Sequence, residues 1–473
     1  MKIQFTISRQ AVSGLALLLL TLAGCAGPES RRTGSGPAAT TPVYDVIVVG
    51  AGLSGLTTAK ELIRAKHSVL VLEATNRIGG RTITDRSFSV PIDFGAAWIH
   101  GTDKNPLTKI VDELNFRREK TKLDGRVFIG NHQLNDEEMK ALEKDTEVAE
   151  DQMAQAAKAG RDQAVSDFVP SRSVYRALIA SNIGPLESGA EADKTSSADS
   201  AAFHSEPDDF VAEGIGAFVA RFGRDVPVQL NSPVTAIRYG GDAGNGVVVE
   251  TRSGSGAAQT YRGRRVVVTV STGILAARRI VFAPELPDSK WEAIRSLPMG
   301  LLNKVVFEFP KDVFANEVTS EWVLHQRPGQ PAGRTPEVMA FVIKPLGADM
   351  AVGFYGADQA RDFEKRGDQA AIDYAKAALT DMYGKEVVSR ILDKKTKVTH
   401  WGQDPWTLGA YSAALPGKSA MHAELAKPVG DRVFFAGEAC GPPEFNGSLA
   451  AAYVAGREAS RLIVESLARE VRR

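Results

Sequence analysis

Residues 44–73 read Tyr44-Asp-Val-Ile-Val-Val-Gly50-Ala-Gly52-Leu-Ser-Gly55-Leu-Thr-Thr-Ala-Lys-Glu-Leu-Ile-Arg-Ala-Lys-His-Ser68-Val-Leu-Val-Leu-Glu73. The β-branched run before Gly50 suits a parallel strand buried on both faces. Leu56, Ala59, Leu62 and Ile63 then recur on one face of a helix, and Ser68–Glu73 supplies a second strand. Strand, glycine turn, helix and strand make the βαβ unit of a dinucleotide-binding fold. Gly50 is expected to allow the tight turn, Gly52 to let backbone approach a pyrophosphate, and Gly55 to let helix and strand pack closely. Leu53 and Ser54 open the helix whose N-terminal amides face the phosphates. Glu73, about 20 residues beyond the glycines, is where an acid accepts hydrogen bonds from an adenosine ribose. The competing reading of Gly50–Gly55 is a plain glycine-rich turn.

N-terminal to this unit the chain carries an address. Lys2 and Arg9 are basic, and the apolar stretch from Ala11 to Gly24 falls short of the about 20 residues a spanning helix needs. It reads as a secretion signal. Its end, Leu22-Ala23-Gly24-Cys25, resembles the lipobox of bacterial lipoproteins, which implies a lipid on Cys25; the alternative is an ordinary signal with a chance cysteine. Ala26 follows, as in lipoproteins sent to the outer membrane, so the expected location is periplasm-facing. Residues 26–42 have the composition of a flexible tether. Lys plus Arg and Asp plus Glu both number 57, so no charge excess recruits nucleic acid. Cys25 and Cys440 are not expected to pair, and the scattered histidines offer no metal-ligand spacing.

Beyond Glu73 and Ala74 come Arg77-Ile-Gly79-Gly80-Arg81, with Arg81 placed to pair with a pyrophosphate. From here the residues resemble the flavin-containing amine oxidases, in five blocks spread over residues 43–473. The resemblance favours FAD over NAD. It implies an α/β fold: a Rossmann-type FAD-binding domain (43–100, 207–290 and 428–473) interleaved with an α+β substrate-binding domain (101–206 and 291–427) that includes a helical insertion. The second block, Asp93-Phe-Gly95-Ala96-Ala97-Trp98-Ile-His100-Gly101, is similar to the segment along the flavin ring of polyamine oxidases and lysine-specific histone demethylases. There a histidine lines the substrate entrance, which implies that role for His100; a hydrogen-bonded structural histidine is the other reading. The third block places the backbone of Val234 at the adenine side.

The fourth block, Met299-Gly-Leu-Leu-Asn303-Lys304-Val-Val-Phe-Glu-Phe309, resembles the stretch carrying the lysine held through a water near flavin N5. On composition alone Lys304 would be a solvated lysine at a strand edge. In the fifth, Trp401-Gly-Gln-Asp-Pro-Trp-Thr-Leu-Gly-Ala410-Tyr411-Ser412 resembles the substrate side of the flavin. Phe434-Phe-Ala-Gly437-Glu438 resembles the last FAD-binding strand, with Glu438 on sugar or pyrophosphate. Gly447-Ser448-Leu449 opens the helix whose amides support flavin O2 and N1.

Departures from the family narrow the expectation. Ala410 stands where monoamine oxidases bond a cysteine to the flavin, which implies noncovalent FAD, with Cys440 packing near the cofactor. The two tyrosines that flank the amine in monoamine oxidases match Tyr411 and Ser448, which favours polyamine-like substrates. The segment Trp98–His100 lacks the carboxylate-binding arginine of L-amino-acid oxidases. The implied reaction moves a hydride from the carbon beside a neutral amine to flavin N5, and water hydrolyses the resulting imine. Lys304, Tyr411 and His100 are the candidate catalytic residues. Three readings stay open beside an O2-using oxidase. They are a dehydrogenase of cyclic amines passing electrons to a periplasmic cytochrome, an L-amino-acid oxidase, and a noncatalytic flavoprotein scaffold. Charge runs in residues 131–195 read as solvated helix faces above the substrate tunnel. Oligomeric state is not read from the chain.

Overall fold

A computed structural model describes residues 42–121, 125–204, 207–244, 246–252, 256–328 and 337–471. The signal segment, Cys25 and the tether up to residue 41 lie outside the described residues. The first element is the strand β1 (Val43–Val49), followed by helix α1 (Leu53–Arg64) and strand β2 (Val69–Leu72). β1 pairs in parallel with β2 on one side and with Ala258–Val268 on the other. Val46 to Val49 are buried, as a run of β-branched residues in a doubly covered parallel strand should be. Leu56, Ala59 and Leu62 of α1 are fully buried against the sheet and the C-terminal helix Leu449–Val471. Ile63, expected on that face, is 37% exposed, because it belongs to the exposed run 63–66, the helix end and the turn after it.

The turn between β1 and α1 shows why glycine recurs there. Gly50 has φ +102°, a region that penalises a side chain. A Cβ on Gly55 would sit 2.0 Å from the Gly50 carbonyl oxygen, whereas one on Gly52 meets no described atom within 4 Å.

The strand Ala258–Val268 joins distant parts of the chain. Its first half pairs antiparallel with Val247–Arg252, and its end pairs in parallel with Val433–Phe435, so the C-terminal segment returns to the sheet that the first strand began. A second, seven-stranded sheet comes from the intervening stretches and has Leu302–Glu308, Met350–Gly356 and Val338–Ile343 at its centre. The last two strands are buried throughout. Helices Ala357–Arg366 and Asp368–Tyr383 contribute to the core on one face. On the other lies helix Asp136–Lys158, which starts with an Asn135–Glu138 capping box. Its buried residues are Leu142, Ala149, Met153 and Ala156, which leaves its acidic and basic positions to water. Among the described residues no helix is long and apolar enough to cross a membrane.

Gly55→Ala is expected to lower stability by about 1–3 kcal/mol through the forced Cβ–carbonyl contact. Gly52→Ala should stay within about 1 kcal/mol of the parent. Urea unfolding of both variants, freed of small molecules, checks this; equal losses would contradict the packing role of Gly55.

Candidate active site

A cavity of about 1380 Å³ runs between the two sheets. Drug-sized ligands occupy about 300–1,000 Å³, so this one has room for a dinucleotide and a small molecule together. Every residue assigned above to cofactor or catalysis lines it except Gly55, which acts behind the wall.

At the β1–α1 end, the buried Glu73 carboxylate organises the turn. Oε2 accepts from the Ala51 amide at 2.8 Å, and Oε1 from the Thr75 amide and hydroxyl at 2.9 and 2.8 Å. Arg81 and Glu438, expected to contact a pyrophosphate or sugar, are paired with each other. Arg81 Nη1 donates to Glu438 Oε1 at 2.8 Å and to the Ala410 carbonyl at 3.0 Å. Glu438 also accepts from the Ser412 amide and, at 2.7 Å, from its hydroxyl. This knot ties the loop after β2 to the segment around Glu438 and to residues 410–412. Cys440, expected near the cofactor, is absent from the cavity wall; it packs between the cores on either side of the parallel sheet, and burial pushes its thiol up to about 12.

Lys304 sits on Leu302–Glu308 and is 4% exposed. Its ammonium donates directly to the carbonyls of Asp93 and Gly95, at 2.6 and 2.7 Å, and lies 5.1 Å from the Phe354 ring centre. The indole of Trp401 donates to the carbonyl between them, that of Phe94, at 3.0 Å. Three successive carbonyls of the strap 93–95 are therefore held from the opposite wall, and the solvated-lysine reading of Lys304 fails. An ammonium has three donors, so one N–H remains beyond the two carbonyls. Burial pushes Lys304 down to about 8, against the pull of Asp93.

Tyr411 donates its hydroxyl to the Glu187 carbonyl at 2.8 Å, and burial raises its phenol well above the usual range. Its ring lies against Gly447, where an added Cβ would stand 3.3 Å from Cδ2. His100 Nδ1 is 2.6 Å from Asp208 Oδ2, and Asp208 Oδ1 accepts from the Gly101 amide. The His100 ring adjoins Trp98 and Phe203 at the wall. His100 thus has both properties weighed for it, a fixed hydrogen bond and a place on the cavity.

The sequence reading missed several wall residues. Glu187 lies in a π-helical stretch, Asn182–Ser188, within the insertion read as solvated; such stretches are rare and often adjoin functional sites. Its side chain is exposed to the cavity, and the protein packed around it, with nearby Glu150, pushes its carboxyl up to about 8. Asp199, Asp208 and Asn446 were also overlooked. Ser54 Oγ, Thr407 Oγ1 and both amide atoms of Asn446 are buried with no hydrogen-bond partner among the described residues. Each unpaired group costs about 1–3 kcal/mol, so four such atoms on one cavity fit a polar ligand built into the fold. The open face at Gly52, the start of α1 at Ser54 and the start of the last helix at Ser448 suit a phosphate-bearing dinucleotide.

The family model described as flavin containing amine oxidoreductase matches residues 53–464. The chain belongs to this family. It is accordingly an amine oxidoreductase with FAD as cofactor, built on the amine-oxidase flavoprotein fold. Polyamine oxidase 4 of Oryza sativa subsp. japonica is 29% identical over 447 residues, covering 87% of this chain and 86% of that one. The protein FLOWERING LOCUS D of Arabidopsis thaliana is 30% identical over 460 residues, 90% of this chain and 56% of that one. In fold, the chain matches the cyclohexylamine oxidase of Brevibacterium oxydans IH-35A with TM-score 0.71 at 22% identity, over 90% of this chain and 100% of that one.

Glu438→Ala leaves the Arg81 guanidinium without its carboxylate, and a broken buried pair costs about 3–5 kcal/mol. Glu438→Gln keeps an acceptor and should cost less than half of that. Denaturant unfolding of the two variants checks the ranking; a silent Glu438→Ala would contradict the knot.

Proposed function

We propose that the protein oxidises the C–N bond of a primary or secondary amine, polyamine-like in preference, with noncovalently held FAD and O2 as electron acceptor. The observation that carries the reading is the composition of the cavity wall. Lys304 and the rings of Trp98, Phe354 and Tyr411 stand on the same wall as the carboxyl groups of Glu187, Asp199 and Asp208. Aromatic rings and carboxylates together suit a cationic, partly apolar amine. The names of the rice polyamine oxidase and of the structurally similar cyclohexylamine oxidase point the same way.

FAD, when bound, supplies the acceptor for the hydride leaving the carbon beside the amine nitrogen. The residues that hold it are Gly52, Ser54, Glu73, the Arg81–Glu438 knot, Asn446 and the helix start at Ser448. Ala410 presents a methyl group and Cys440 lies outside the cavity, so no thiol is offered for a covalent link. Trp401 and Lys304 keep the strap 93–95 from moving, which fixes Ala96, Ala97 and Trp98 beyond it. Tyr411 and Trp98 exclude water from the reacting carbon. Glu187 is positioned to take the proton that the substrate ammonium must lose, and Lys304 offers its remaining N–H to the reduction of O2.

Lys304→Met should slow O2-dependent reoxidation by about 100-fold, the usual loss for one preorganised charged donor. Stopped-flow mixing of the reduced enzyme with O2 checks this, and unchanged rates would remove Lys304 from the reaction. Hydrogen peroxide release with spermidine or putrescine, measured by a coupled peroxidase, tests the oxidase reading itself. The same proposal includes export. Leu22–Cys25 marks a lipidated N-terminus facing the periplasm, on the outer membrane. Labelled palmitate should enter the full-length protein and not its Cys25→Ala variant; equal labelling would contradict the anchor.

A further inference from the structure

The short helix Ser197–Ala202 brings Asp199 to the cavity wall, and Met421–Ala426 brings His422 behind it. Asp199 is 8% exposed and His422 2%. His422 Nδ1 lies 2.8 Å from the Ala439 carbonyl oxygen, and Nε2 lies 2.9 Å from Asp199 Oδ2. A carbonyl oxygen only accepts, so Nδ1 carries a proton. Nε2 and Oδ2 then share one further proton, on either the imidazole or the carboxyl. In both arrangements the Asp199 carboxyl is locked through one oxygen and cannot rotate freely.

Its other oxygen, Oδ1, is buried and has no hydrogen-bond partner among the described residues, and the same holds for the neighbouring Ser200 Oγ. Both residues line the cavity, just beyond the stretch 131–195 that carries Glu187. Leaving a locked acceptor dry and unpaired is costly unless a donor arrives. His422 is tied to Ala439, next to Glu438 of the Arg81 knot, so the carboxyl takes its orientation from the cofactor side of the cavity. The pair is therefore rigid and is built from segments 223 positions apart.

Resting on the amine-oxidase reading above, we propose that Asp199, held by His422, anchors a second ammonium group of the substrate and so selects diamines and polyamines over monoamines. Asp199 touches the substrate; His422 is a positioning residue. An ammonium fits better than a neutral donor because a charged donor on a carboxylate makes the stronger bond, and the carboxyl of Asp208 lines the same cavity.

Asp199→Asn tests the charge with little change of shape. Its amide nitrogen donates to His422 Nε2 and its carbonyl oxygen takes the place of Oδ1, so the fold is kept while the proton shared with His422 and the carboxyl's capacity for negative charge are lost together. The readout is the ratio of kcat/KM for 1,4-diaminobutane to that for butylamine. The ratio is expected to fall at least about tenfold in Asp199→Asn, through KM for the diamine, as loss of a charge-assisted bond implies. His422→Gln, which keeps an N–H toward Asp199, should retain most of the ratio, and His422→Leu should lose it. An unchanged ratio in Asp199→Asn, while butylamine still reduces the flavin, overturns this assignment alone. So does an unchanged ratio accompanied by tenfold weaker FAD retention, which would give Oδ1 to the cofactor. If neither amine reduces the parent enzyme, both this assignment and the amine-oxidase reading fail.

Discussion

The grip on three successive carbonyls, those of Asp93, Phe94 and Gly95, organises the site. Lys304 holds the outer two and Trp401 the middle one. The strap runs on from the two-residue strand Ile92–Asp93 into irregular backbone at Phe94 and Gly95, and carbonyls left unpaired away from water there would be destabilising. Donors from the seven-stranded sheet and from the loop at residue 401 meet that need. In doing so they align the strap with the cavity, and Ala96, Ala97 and Trp98 follow from it. A lysine proposed to act in the reaction therefore also builds the wall it acts from. Burial among Phe354 and Trp98 brings its ammonium down to about 8, near the range where proton exchange with a substrate is useful.

A second layer of constraint comes from buried charge. Arg81, Glu438 and Ser412 form one knot, and Asp199, His422 and Ala439 form another, and the two meet at neighbouring residues 438 and 439. Each knot joins distant stretches of chain around the cavity, residues 412 and 199 to residues 438 and 439. The return of the C-terminal segment thus does more than close a sheet: through His422 and the Ala439 carbonyl it orients the Asp199 carboxyl.

Much of the fold could be read from residues 44–73, because a parallel strand buried on both faces and a glycine turn with two steric demands leave few alternatives. Gly55 shows this most directly: the close packing expected from spacing appears as a hypothetical Cβ 2.0 Å from the Gly50 oxygen. Family blocks brought Lys304, Tyr411 and His100 to one cavity, although composition alone placed Lys304 in water. What spacing could not show were contacts between distant residues. Arg81 meets Glu438 across 357 positions, and neither sequence neighbourhood carries a mark of the other. Glu187 and Asp199 sit in a stretch whose acids and alanines look like any solvated helix. Only the π-helical turn and the packing of Ser197–Ala202 aim them inward. Ile63 erred the other way, apolar in pattern but at the helix end that leaves the sheet.

The central claim is that this cavity joins FAD to an amine so that the amine reduces it. Anaerobic titration of the purified holoenzyme, residues 26–473, with spermidine and putrescine while the flavin absorbance is followed tests that claim most directly. The account predicts bleaching of the flavin band by at least one of them, with FAD released intact by acid. A yellow protein whose flavin is bleached by neither amine would contradict it.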